Sequence, residues 1–117
     1  EFFELAREEL QRSGFENLPA ILATEGLDGV YVGPADLSMA YGAAPSMAPV
    51  DAQVQDAIAA VPAAALAAGR IAAIHTDGPE TARLRYAQGY RLCTLQSDVR
   101  YIVNGAGAAL RGLREPN

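Results

Sequence analysis

The sequence predicts an α/β fold with a parallel sheet, and three observations carry that prediction. Short apolar runs at 28–32, 70–75 and 91–95 alternate with longer stretches of helical periodicity; strands alternating with helices pair in parallel through right-handed crossovers. Each run ends in a turn or capping signal: Gly33-Pro34, Asp77-Gly78-Pro79-Glu80 and Ser97-Asp98. Half of the 117 residues are hydrophobic and a fifth are charged, which suits one globular domain at most. By itself the pattern fits a small open sheet or a piece of a barrel.

The elements follow in order. Residues 1–12 read as a helix with Phe2, Phe3, Leu5, Ala6 and Leu10 on one face, broken at Ser13-Gly14. Phe15 to Glu25 forms a second helical stretch carrying Leu18, Ile21 and Leu22, with Gly26 as its cap. The first strand runs from about Asp28 to Val32. Residues 39–50, rich in Ala, Gly and Pro, form a loop long enough to be functional. A helix from about Asp51 places Val54, Ile58 and Val61 on one side and ends before Gly69. Pro62 sits inside it, where a proline typically costs about 3 kcal/mol, so a kink or restart is expected there. Arg70 to His75 is the second strand, and Asp77 caps a helix that ends at Gly89. Arg91 to Leu95 is the third strand. A last helix, capped by Ser97 or Asp98, carries a stripe of Val99, Ile102, Val103, Ala106, Ala109, Leu110 and Leu113. Gly105, Gly107 and Gly112 weaken that helix, and their use is to let another helix approach closely.

Composition excludes several classes of function. A net charge of −5 with no basic run argues against nucleic acid or acidic membranes as partners. No apolar stretch reaches the roughly 18 residues of a membrane span, and no leader pattern is present, so a cytoplasmic location is expected. The single cysteine, Cys93, cannot form an internal disulfide and reads as a small core residue. All nine basic residues are arginines. Without a lysine amine there is no nucleophile for Schiff-base catalysis.

Leu27 to Gly42, LDGVYVGPADLSMAYG, holds the densest signal. Val30-Tyr31-Val32 runs into Gly33-Pro34 and the carboxylate of Asp36, as at the carboxyl end of a buried strand opening into a functional loop. Asp36 is either a ligand or the cap of a turn or short helix through Leu37-Ser38. Gly33, Pro34 and Ala35 either turn backbone N–H groups toward an anion or make a tight turn. His75, the only histidine, ends the second strand as a base, a ligand or a structural residue. Gln96 and Asp98 end the third strand. Tyr31 and Tyr90 alternate with core positions and need no functional account.

The run Gly26-Leu-Asp-Gly-Val-Tyr-Val-Gly-Pro-Ala-Asp-Leu-Ser38 resembles the signature of the HpcH/HpaI aldolase family, metal-dependent aldolases acting on 2-oxo acids. The resemblance implies that residues 15–117 are the last three or so βα units of a (β/α)8 TIM barrel, a single partial domain preceded by an atypical amino-terminal helix at 1–14. It implies reversible cleavage of a 4-hydroxy-2-oxo acid to pyruvate and an aldehyde by a divalent Mg, Mn or Co ion. Asp36 matches the family's metal-binding aspartate, and Gly33, Pro34, Ala35 and Asp36 match its substrate-binding loop, whose amides at Ala35 and Asp36 hold the pyruvate carboxylate. A homo-oligomer is implied as well. The family's second metal ligand, a glutamate, falls on Leu10; Glu8 and Glu9 stand close by but no strand surrounds them, and the role is not carried over. The family's catalytic arginine and histidine belong to earlier strands. Three units cannot close a barrel. An incomplete barrel module without catalysis, associating through its open edges, and a lyase similar to the citrate lyase β-subunit are therefore the alternatives.

Overall fold

The computed structural model describes residues 14–114. The helix expected at 1–12, with Leu10, Glu8 and Glu9, lies outside them. The elements are α1 (Leu18–Leu22), β1 (Gly29–Val32), α2 (Pro34–Ala40), α3 (Ala52–Ala67), β2 (Ile71–Thr76), α4 (Pro79–Ala87), β3 (Leu92–Leu95) and α5 (Asp98–Arg114). The strands form one parallel sheet in the order β1-β2-β3.

Period-two alternation decides which side of the sheet each residue serves. Val32, Ile74 and Cys93 stand in one row across the three strands; Tyr31, Ala73 and Leu92 stand in the next, on the opposite face. The first face is covered. Ala72 and Ile74 join Val54, Ala57, Ile58, Val61 and Ala65 of α3, with Leu22, Leu37 and Tyr90, in one core, and Val30, Val32 and Cys93 pack against it. The second face is open: Tyr31, Ile71 and Leu92 are each about half exposed. No helix among the described residues is long and apolar enough to cross a membrane.

Asp51 starts α3 as expected, its carboxylate accepting the N–H groups of Gln53 and Val54. Pro62 does not restart the helix, which runs unbroken from Ala52 to Ala67. The reason lies in the carbonyl that Pro62 strands. Its missing N–H would have bonded Ile58 O, and that oxygen instead accepts the buried Tyr90 hydroxyl at 2.7 Å. Gly89 makes room: with φ +101° it ends the α4 turn, and a Cβ there would stand 3.2 Å from the Pro62 ring. Burial pushes the Tyr90 phenol well above its ordinary pKa, so this donor stays protonated.

Other expectations need correction. Gly14 does not break the chain as expected: residues 14–16 are helical, Asn17 makes a turn, and the stretch then continues as the five-residue α1, which ends at Leu22 and leaves Thr24 and Glu25 in a turn closed by Gly26 at φ +79°. Asp77 does not cap α4. Gly78 holds the cap position, and Asp77 accepts the Thr81 hydroxyl instead. Arg85 is buried between α3 and α4, donating from one guanidinium nitrogen to Gln55 (3.3 Å) and Gln88 (2.9 Å). Desolvation lowers its pKa, and its Nε has no hydrogen-bond partner. Burial likewise pushes the Cys93 thiol up, consistent with a core role.

Candidate functional site

The predicted signature lies where β1 ends. Gly33-Pro34 opens a helix rather than a loop: Gly33 is the cap residue, Pro34 is the first residue of α2, and Asp36 lies in the first turn. Proline fits there because its absent N–H would have no intrahelical acceptor. Leu37 N donates the first helical bond, to Gly33 O at 2.9 Å, so the amides of Ala35 and Asp36 precede the intrahelical ladder. Pro34, Leu37 and Ser38 are buried, and the Ser38 hydroxyl donates to Pro34 O at 2.8 Å. These residues hold the turn.

Asp36 is partly buried, and its carboxylate folds back over the strand tip. A Cβ on Gly33 would come within 2.7 Å of Asp36 Oδ2, so only glycine leaves the carboxylate its place. Asp36 shares a cavity of about 470 Å³ with Phe15, Leu18, Tyr31, Leu37 and Val61. Asp36 offers a divalent cation one hard oxygen ligand, and no cluster of three or more His, Cys, Asp or Glu side chains assembles among the described residues. One carboxylate leaves most coordination positions of such an ion unfilled by the described residues.

A second site opens at the ends of β2 and β3. His75 Nδ1 lies 2.8 Å from Thr94 Oγ1 and 3.2 Å from the Tyr31 hydroxyl, which is itself 2.6 Å from Thr94 Oγ1. His75 also lines a cavity of about 430 Å³ with Asp77, Gln96, Ser97, Arg100 and Asn104. Gln96 adopts φ +53°, the left-handed region, unlike any other non-glycine among the described residues. Its side-chain oxygen accepts from Asn104 Nδ2 at 3.3 Å. Ser97 caps α5, accepting Arg100 N at 3.4 Å, while Asp98 accepts Val99 N.

Sequence reasoning placed His75, Gln96 and Asp98 at strand ends but dismissed Tyr31, whose hydroxyl reaches the His75–Thr94 pair across the open face. Odd-numbered positions in β1 and β2 carried that signal, since period two puts Tyr31 and His75 on the same side. Thr94, Arg100 and Asn104 were missed entirely.

The family profile described as HpcH/HpaI aldolase/citrate lyase matches residues 11–104. The chain is 36% identical over 88 residues to the hydroxypyruvate/pyruvate aldolase of Rhizorhabdus wittichii, which covers 75% of this chain and 35% of that protein. It is 45% identical over 60 residues to the 4-hydroxy-2-oxo-heptane-1,7-dioate aldolase of Klebsiella pneumoniae, covering 50% of this chain and 23% of that one. The crystal structure of an HpcH/HpaI aldolase/citrate lyase family protein from Burkholderia cenocepacia superposes with a TM-score of 0.80 at 33% identity, over 87% of this chain and 39% of that one. The chain thus spans well under half the length of each. On the match over residues 11–104, it belongs to the HpcH/HpaI aldolase/citrate lyase family.

Proposed function

We propose that these three strand–helix units are the carboxyl-terminal part of a (β/α)8 barrel, and that the whole protein is a divalent-metal-dependent aldolase cleaving a 4-hydroxy-2-oxo acid to pyruvate and an aldehyde. The observation that carries this reading is the Asp36 carboxylate, folded over Gly33 at the tip of β1, where barrel enzymes place their chemistry. Asp36 supplies one oxygen ligand to Mg²⁺, Mn²⁺ or Co²⁺; the remaining protein ligands come from outside the described residues. Such an ion, when bound, polarises the carbonyl of a 2-oxo acid. Pro34 fixes the start of α2, and the amides of Ala35 and Asp36, which precede its hydrogen-bond ladder, would hold the substrate carboxylate at the positive end of the helix. The cavity beside Asp36, lined mostly by apolar side chains, gives the oxo-acid methyl group an apolar wall.

A pyruvate-forming assay with Mn²⁺ and a 4-hydroxy-2-oxo acid tests the reading, run on this chain alone and after addition of the amino-terminal barrel portion of a relative. Turnover in either setting that disappears in Asp36→Ala supports it. Turnover unchanged by Asp36→Ala in both would remove Asp36 from the site.

One observation favours a second reading, an association module without catalysis of its own. No residue of α5 is buried, and its stripe of Val99, Ile102, Val103, Leu110 and Leu113 is exposed. Within the aldolase reading the same stripe is the contact of a homo-oligomer. In the alternative it would hold this chain to another whose active site it lacks.

A further inference from the structure

We propose that the cavity at the ends of β2 and β3 binds a short hydroxylated carboxylic acid or acid-bearing aldehyde, with Arg100 taking the carboxylate and His75, Gln96, Asn104 and Asp77 reading its oxygens. The placing of this ligand as the acceptor aldehyde rests on the aldolase reading above; the cavity itself does not. Tyr31 links the two places, since it lines the cavity of Asp36 while its hydroxyl touches His75 and Thr94.

The hydrogen-bonding capacity around the cavity defines the ligand. Arg100 has no carboxylate partner among the described residues, and its exposed guanidinium offers a planar fork that fits a carboxylate in bidentate fashion. Asp77 is the opposing charge. One of its oxygens accepts from Thr81, leaving the other for a ligand hydroxyl. Gln96 spends its oxygen on Asn104, which leaves the Gln96 NH₂ to donate and the Asn104 oxygen to accept. Asp98 faces its own helix, on Val99 N. Donors and acceptors are thus interleaved around one cation, a pattern that suits adjacent hydroxyls next to an acid and offers little to an apolar chain; Met47 is the one apolar side chain in the lining.

His75 supplies the adaptable contact. With Nδ1 engaged by Thr94 and Tyr31, Nε2 is the nitrogen left for a ligand. If Tyr31 donates to Thr94 and Thr94 to Nδ1, then Nε2 carries the proton and donates. Reversing both hydroxyls puts the proton on Nδ1 and makes Nε2 an acceptor. The ring can therefore face a carbonyl oxygen or a hydroxyl without moving. Gln96, at φ +53°, lines the same cavity as His75, and its amide nitrogen lies near Gly78.

The test is an ¹H–¹⁵N NMR titration of this chain in metal-free buffer with glycerate, which carries both the acid and the hydroxyls, alongside propionate (acid only) and glycerol (hydroxyls only). Glycerate is expected to shift Ser97, Arg100, Asn104 and the His75 ring nitrogens and to bind more tightly than either control. Arg100→Gln, at an exposed position, is expected to keep the amide spectrum and weaken glycerate about tenfold or more. Propionate equal to glycerate would overturn the hydroxyl contacts, glycerol equal to glycerate would overturn the role of Arg100, and shifts absent or indifferent to Arg100→Gln would overturn the site. The pyruvate-forming assay with the amino-terminal barrel portion added, parent against Asp36→Ala, reports separately on the aldolase reading. Glycerate binding without Asp36-dependent turnover leaves the cavity standing and removes its role as an acceptor site; such turnover without glycerate binding removes the cavity and leaves the aldolase reading.

Discussion

The helices α3 and α5 are of nearly equal length, 16 and 17 residues, yet they occupy opposite situations. In α3, Val54, Ala57, Ile58, Val61, Pro62 and Ala65 are buried, and apolar alanines continue round its exposed side. In α5 the separation of apolar from polar residues is far sharper, and nothing is buried. Amphipathicity is therefore not what ties a helix to this sheet. What matters is whether the sheet face beneath it already belongs to the core, and α3 covers that face with Ala72 and Ile74. A sharply two-sided helix with a bare apolar side leaves that side available to a further surface.

Substitutions at the two helices should differ widely. Ile58→Ala removes a fully buried side chain from the middle of the core and is expected to cost about 2–5 kcal/mol, read as a fall in the urea midpoint of this chain. A loss below about 1 kcal/mol would mean that α3 is not the centre of the fold.

The next effect concerns the device that lets α3 carry a proline. Tyr90→Phe leaves Ile58 O without its donor, and because Pro62 has no N–H the loss is expected to be about 1–3 kcal/mol. In a Pro62→Ala background a peptide N–H becomes available to that carbonyl, so the same Tyr90→Phe change should cost less than about 1 kcal/mol. Equal costs in both backgrounds would show that the phenol contributes by packing alone. The two changes form a double-mutant cycle whose coupling is the quantity of interest.

This arrangement also marks what the sequence could and could not show. The three strands, the Asp51 cap and the position of Asp36 are written in local signals: period two, a capping carboxylate, a Gly-Pro pair. Pro62 is not, because the group that rescues its stranded carbonyl comes from Tyr90, on the far side of β2 in the chain. Gly33-Pro34 was legible as punctuation but not as to kind, since a glycine before a proline suits both a turn and a helix start. The His75 cluster depended on which face of the sheet is left open, and that is set by helix packing rather than by any strand's own residues.

Alkaline pH should act on the same core with a defined sign. Burial raises the Tyr90 pKa above the ordinary 10.0, so the fold favours the protonated phenol. Its contribution to stability is whole below pH 10.0 and is lost as pH rises from there toward the raised value, because the unfolded chain gives up that proton first. Urea midpoints measured between pH 8 and 11 should fall in the parent and fall less in Tyr90→Phe; parallel curves would assign the alkaline loss to other groups.

The smallest expected effect returns to α5. Ile102 and Leu113 are exposed by 70% and 83%, so replacing either with Gln removes little buried surface and should change the stability of this chain by no more than about 0.5 kcal/mol. The same changes should matter once α5 meets its counter-surface, because each large apolar side chain that becomes buried contributes about 1.5–3 kcal/mol. Sedimentation of the parent and of the double variant over a range of concentrations separates these cases. A self-association that the Gln pair abolishes, with the urea midpoint unmoved, shows the stripe to be an interface. A midpoint that drops by more than 1 kcal/mol would instead place α5 against its own sheet, and the contrast with α3 would disappear.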